Sequence, residues 1–89
     1  MYGRNMAMLL SGYAPSKDLA KALNKSNPTI HNMVEDGRFL GARDGRALYV
    51  LISSVIDYYE KSGARSIAER MLALQVRLTE EAVKNSSAA

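Results

Sequence analysis

The chain has no cysteine, no tryptophan, two prolines, one phenylalanine and one histidine in 89 residues. Without cysteine there is no disulfide, no thiolate metal ligand and no thiol chemistry. The lone His31 cannot build a histidine-rich zinc site. The nine carboxylates are scattered, with neither the pairing of an acid–base couple nor the spacing of a metal-ligand set. Ser53 and Ser54 have no histidine nearby in sequence, and the six glycines form neither a phosphate loop nor a dinucleotide fingerprint. An enzyme, a bound metal and a cofactor are therefore not expected. Long apolar runs are also missing. Met6–Leu10 and Ala47–Ile52 fall far short of the ~20 residues that cross a bilayer. Arg4 stands where the basic start of a leader would, but the run after it is too short and lacks a cleavage site. The expectation is a cytoplasmic protein with no membrane partner.

What is present is ordinary for one small folded unit: 47% hydrophobic and 24% charged residues, with room for a modest core. The net charge of +3 is compatible with a polyanionic partner without requiring one. Its distribution is also mild, with six basic and four acidic residues from Lys17 to Arg46 and five against four from Glu60 to Lys84. Affinity for a polyanion must come from the placement of a few charges.

Punctuation divides the chain into segments 1–12, 13–63, 64–85 and a polar tail 86–89. Met6–Leu10 is compatible with a strand, a docking segment or a short helix, and five residues do not decide between them. Gly12–Ser16 reads as a turn leading into a helix, since Pro and Ser favour helix starts. Over Ser16–Leu23, Leu19, Ala20 and Leu23 share one face, with Lys17, Lys21 and Lys25 at i, i+4 steps on the other. Asn24–Asn27 breaks that pattern. A second helix is predicted from about Pro28, capped by Asn27 or Ser26, to Asp36 and closed by Gly37. Ile30, Met33 and Val34 form its inner stripe, while Pro28, His31, Asn32 and Glu35 point outward. Two short helices joined by a tight turn have the outline of a helix-turn-helix.

Asp44-Gly45 is a hairpin signal, expected to be a type I′ turn with positive φ at both residues. It joins Leu40–Arg43 to Arg46–Val50 as a two-stranded wing with an arginine on each side of the tip. A third helix is predicted from about Ser53 to Ser62-Gly63, with Tyr58 and Tyr59 packing it onto the core. In the last helix, Ile67, Met71, Leu74 and Leu78 follow the four-three-four spacing of a coiled-coil seam. An isolated helix of ~20 residues is marginal in water, so this stripe must be covered by a second subunit or by its own domain. Homodimerisation, or a higher homo-oligomer, is the expectation.

Three stretches carry a resemblance: Asp18-Leu19-Ala20-x-x-Leu23, Ser26-x-x-Thr29-Ile30-x-x-Met33-Val34-x-x-Gly37, and the Arg-Asp-Gly-Arg hairpin. Over about Tyr13–Glu60 the chain resembles the excisionase and MerR-like winged helix-turn-helix group of DNA-binding proteins. The DNA-packaging small terminase subunits of some tailed phages carry a similar module. The resemblance implies a mainly α fold with a small β-hairpin. It further implies that the second helix enters the major groove of double-stranded DNA through Asn27, Pro28, His31 and Asn32, and that Arg43 and Arg46 of the wing touch the neighbouring groove. Chemistry supports parts of this. Asn pairs with an adenine edge, Arg with guanine or a narrow minor groove, and Thr29 at the helix start is placed to donate to a phosphate. Lys17, Lys21, Lys25 and Arg38 are candidate backbone contacts, with a solvated helix face as the alternative for the lysines. Where the family often carries Arg, this chain has Asn27, Asn32, Glu35 and Asp36. That departure lowers the phosphate affinity expected of a single copy.

The function these readings imply is sequence-specific DNA binding, as a transcriptional regulator or an excisionase-like architectural factor of a phage or mobile element. An integrase or a terminase motor is the partner such roles would bring. The alternatives are a small terminase-like DNA-recognition subunit and a protein-binding adaptor that keeps the winged fold.

Overall fold

A computed structural model describes residues 4–87, so residues 1–3 of the N-terminal segment and 88–89 of the tail lie outside the described residues. Met6–Leu10 forms a short helix, α1. Asn5 starts it, its side-chain oxygen accepting the Met8 N–H at 3.1 Å. Strand β1 follows at Tyr13–Pro15, an edge position that tolerates a proline because no ladder N–H is needed there. Helix α2 spans Ser16–Leu23, where it was expected, and buries Ser16, Leu19, Ala20 and Leu23. Asn24 ends it in the left-handed region at φ 58°, and the Lys25 N–H bonds back to the Ala20 carbonyl at 2.8 Å. Lys25 therefore falls past the helix and leaves the row begun by Lys17 and Lys21.

Helix α3 covers Asn27–Glu35, one residue short of the expected end. Ser26 is its N-cap, with Oγ accepting the Thr29 N–H, and Pro28 lies in the first turn, where a missing N–H costs nothing. Strands β2 (Gly41–Asp44) and β3 (Ala47–Leu51) then pair antiparallel, with Asp44 opposite Ala47. The wing turn is thus Gly45-Arg46, one residue later than expected. Gly45 has φ 63°, while Asn24 is the only described non-glycine residue at positive φ. A type I′ turn is excluded, and glycine at the first central position is what a type II′ turn requires. Asp44 stays in the strand, where its carboxylate accepts a hydrogen bond from Asn5 Nδ2 at 3.1 Å.

The expected two-stranded ribbon gains a third strand. β1 pairs with β3 (Tyr13 with Leu51, Pro15 with Tyr49), so the antiparallel sheet has the order β1-β3-β2. Helix α4, Ile52–Lys61, buries Ile52, Val55 and Tyr59. Phe39, Tyr58 and Tyr59 stack edge-on or tilted, with centroids 5.0–6.2 Å apart. Ser54 Oγ accepts the Leu40 N–H and donates to the Leu51 carbonyl, joining the base of the wing to α4.

The last helix, α5, runs from Arg65 to Ser87, about 34 Å at 1.5 Å per residue and beyond the expected boundary at 85. Its predicted seam is the largest correction. Met71, Leu74 and Leu78 are at most 3% exposed within a single chain, and Ile67 packs partly buried beside them. Leu9 of α1 with Val55 and Tyr59 of α4 belongs to the same core, so the stripe is covered intramolecularly and is not open for a subunit seam. Ala82 extends it by another turn at 0% exposure. On the opposite face Leu72, Val76 and Val83 remain about half exposed. No helix among the described residues is long and apolar enough to cross a membrane.

Candidate nucleic-acid interface

The first turn of α3, the start of α2 and the wing tip meet around one cleft of about 520 Å³, with Arg4, Lys17, Asn27, His31 and Arg46 among its lining residues. Ser26 and Pro28 set the direction of α3. Gly45 turns the wing so that Arg46 reaches the same opening. His31 is half-buried, with Nε2 3.5 Å from the buried Ser16 Oγ, so it bridges α3 to α2 rather than projecting freely. Asn27 Oδ1 is buried without a hydrogen-bond partner among the described residues, although a buried amide oxygen ordinarily has one.

A shallower cleft of about 360 Å³ continues along the outer face of α3, lined by Asn27, Pro28, His31, Asn32 and Glu35. The predicted outward set of this helix is therefore contiguous, and Asn27, at the helix start, and His31 line both openings. Thr29 departs from expectation. Its hydroxyl lies 2.7 Å from Ser26 Oγ, engaged in the cap rather than free for a phosphate.

The remaining candidates are dispersed. Arg43 is exposed on β2 opposite Leu48 and does not line the cleft that Arg46 enters. Arg38 lies past the other end of α3 and pairs with Asp36 at 3.6 Å, which occupies the cation expected to contact backbone. Lys21 faces an adjoining groove against α5, which Lys17 lines as well. From Ser26 to Arg46 three cations (Arg38, Arg43, Arg46) balance three carboxylates (Glu35, Asp36, Asp44), so the face formed by α3 and the wing carries no net charge.

Sequence reasoning missed Arg4 as a site residue. Its guanidinium bridges Asp18 at 2.9 Å and Glu81 at 3.1 Å, contacts across 14 and 77 positions for which spacing offers no signal. Arg70 and Arg77 of α5 were missed as well, although their seven-residue spacing on one helix flank was visible. Among the described residues no three His, Cys, Asp or Glu side chains cluster as metal ligands would. No family model, curated protein or solved structure matches the chain.

Proposed function

We propose that this chain is a sequence-specific double-stranded DNA-binding protein of winged helix-turn-helix type. In this reading α3 enters the major groove and the hairpin β2–β3 is the wing. The observation that carries it is the shared cleft: the first turn of α3, with Asn27 and His31, opens beside Arg46 at the hairpin tip and Lys17 at the start of α2. A helix start presents free N–H groups to phosphate. The adjoining outer face offers Asn32, able to read an adenine edge, without an apolar surface that would call for a protein partner. The order helix, strand, helix, helix, hairpin around a three-stranded sheet supports the same reading. Its role is that of a transcriptional regulator or an excisionase-like architectural factor.

The proposed DNA-bound unit is a single chain or copies aligned by adjacent sites. Leu72, Val76 and Val83, half exposed on α5, are too few side chains to approach the ~800 Å² per partner of a standard interface. Pairing away from DNA is accordingly weak, and sedimentation of the free protein should report a monomer.

The test is site selection from random duplexes, followed by titration with Asn32→Ala, Arg46→Ala and Arg43→Ala variants. Asn32→Ala is expected to cost about 1–3 kcal/mol on the selected site and to relax preference at the base it reads. Arg46→Ala should weaken binding more than Arg43→Ala, because only Arg46 lines the cleft. Equal affinity of all variants for the selected site would remove this surface from the reading.

A further inference from the structure

A groove of about 750 Å³ runs between α2 and α5, and none of the residues on the outer face of α3 lines it. Five cations line it (Arg4, Lys17, Lys21, Arg70 and Arg77) together with two carboxylates, Asp18 and Glu81. That balance of +3 equals the net charge of the whole chain. Everything outside the groove is therefore neutral in sum.

The charges inside it are not evenly matched. Arg4 holds both carboxylates, at 2.9 and 3.1 Å. Lys17, Lys21, Arg70 and Arg77 have no ion-pair partner among the described residues. Arg70 Nη1 donates to the Ala22 carbonyl at 3.1 Å, which steadies the guanidinium against the end of α2 and leaves its other donors available. Lys17 and Lys21 stand one turn apart on α2, and Arg70 and Arg77 two turns apart on α5, about 10 Å along the axis. The groove is thus flanked by two rows of cations. A small anion would engage one or two of them, whereas a linear polyanion engages the rows together.

We propose that this groove is a second contact with the same duplex, sequence-independent, in which Arg70 and Arg77 of α5 join Lys17 and Lys21 in holding the sugar–phosphate backbone beside the reading site. The proposal rests on the DNA-binding reading above. Two observations favour nucleic acid over an acidic protein segment. Arg4, Lys17 and Asp18 line both this groove and the wing-side cleft, so the two openings adjoin and Lys17 stands between the cations of α5 and Arg46. The apolar part of the lining is Ala22, Ala73 and the buried Leu74, which leaves no pocket for the side-chain anchors of a peptide. The groove also supplies what α3 and the wing lack, since phosphate neutralisation sets non-specific affinity and its salt dependence.

The experiment is a fluorescence-anisotropy titration of the full chain with two fluorescent duplexes, the selected site and a random sequence, each about three helical turns long. Salt is varied between about 50 and 200 mM, and wild type is compared with Arg70→Gln/Arg77→Gln, Arg77→Gln alone and Arg70→Lys/Arg77→Lys. The double Gln variant should lower the slope of log K against log salt by about 2, one per lost phosphate contact. The wild-type advantage should then shrink on the order of tenfold across that salt range. Both duplexes should be affected alike, so the preference for the selected site persists. Arg77→Gln, which removes no hydrogen bond among the described residues, should lower the slope by about 1, and the Lys pair should restore it, because a phosphate accepts a point charge. If the slope and affinity of the Gln variants equal wild type while Asn32→Ala still loses site preference, the groove proposal fails and the DNA reading survives. If wild type binds neither duplex, both fail. Retention of polyglutamate through Arg70 and Arg77 without duplex binding would assign the groove to an acidic protein partner, also against the proposal.

Discussion

The face formed by α3 and the wing and the face formed by α2 and α5 are built on opposite terms. From Ser26 to Arg46 the chain carries equal numbers of cations and carboxylates, exposes Pro28, Asn32 and Glu35, and takes its shape from local devices, a serine cap and a glycine turn. Between α2 and α5 four cations stand without ion-pair partners among the described residues, and the backing helix is anchored through Met71, Leu74, Leu78 and Ala82. The neutral face has the donors and acceptors that distinguish base edges. The cationic face has charge and few groups of that kind. Phosphate contacts position a protein on DNA and base contacts specify the site, and in the proposed reading the two tasks fall on different helices. One helix, α5, closes the core on one side and, in that reading, lends its flank to the phosphate contacts.

Removing part of that anchor gives the largest effect. Leu78 is 1% exposed in the core, and Leu78→Ala should cost about 2–5 kcal/mol, read as a lower midpoint in urea denaturation. The same experiment tests which surface covers the stripe. Because it is buried within one chain, the thermal midpoint of wild type should not move with protein concentration. A midpoint that climbs with concentration would return the stripe to a subunit seam, since association stabilises by mass action.

That distinction marks the limit of what the sequence disclosed. Ser16–Leu23 and Asn27–Glu35 were legible within a residue because their ends are local chemistry: Pro15, Asn24, Ser26, Pro28 and Gly37. The spacing of Ile67, Met71, Leu74 and Leu78 correctly showed a buried helical face, but periodicity says only that a stripe is covered. What covers it depends on α1 and α4 arriving from elsewhere in the chain. β1 was illegible for the same reason, being three residues long and specified by its pairing with β3. The wing was found one residue out of register, because Asp44-Gly45 and Gly45-Arg46 are both acceptable turns and the bond from Asn5 Nδ2 to Asp44 is not visible locally. In the candidate site, His31 was legible as an outward residue of a helix and Arg46 as the flank of a hairpin, whereas Asn27 was legible as a residue of the helix start and entered the site set through the resemblance. Arg4 was not legible, since it reaches the site through tertiary packing alone, and the spacing of Arg70 and Arg77 showed a shared helix flank without showing which groove that flank lines.

The two faces can also be disturbed separately. A Cβ on Gly41 would lie 2.9 Å from Val34 Cγ1 and 3.2 Å from the Tyr49 carbonyl oxygen. Neither α3 nor β3 can yield without moving, so Gly41→Ala should cost about 1–3 kcal/mol by overpacking. The loss should be uneven: in native-state hydrogen exchange, amides of α3 and β2 lose protection while those of α5 keep theirs. Equal loss throughout would mean that the wing and α5 open as one unit. Ser26→Ala acts on the same face more gently. It removes the Oγ that accepts the Thr29 N–H at 3.2 Å, for an expected cost of about 1 kcal/mol, measured as a small fall in Tm.

The smallest effect lies on the other side and appears only in alkali. Tyr59 of α4 has its phenol pushed above the ordinary value of 10.0, first by burial and then by the neighbouring Tyr58. The folded chain therefore keeps a proton that the unfolded chain releases. This group leaves stability intact below about pH 10, and that stability is lost as pH rises through the folded-state value. Tyr59→Phe retains the ring beside Phe39 and Tyr58, at 6.2 and 5.0 Å, and removes the titration. Melts recorded from about pH 9 to 11, across the ordinary tyrosine range, should show the wild-type Tm falling more steeply than that of the variant. Exchange protection in wild type should weaken first in α4, beside the α5 anchor. If the two curves run parallel, the alkaline loss belongs to another group, and the α4–α5 packing around Tyr59 is indifferent to its charge.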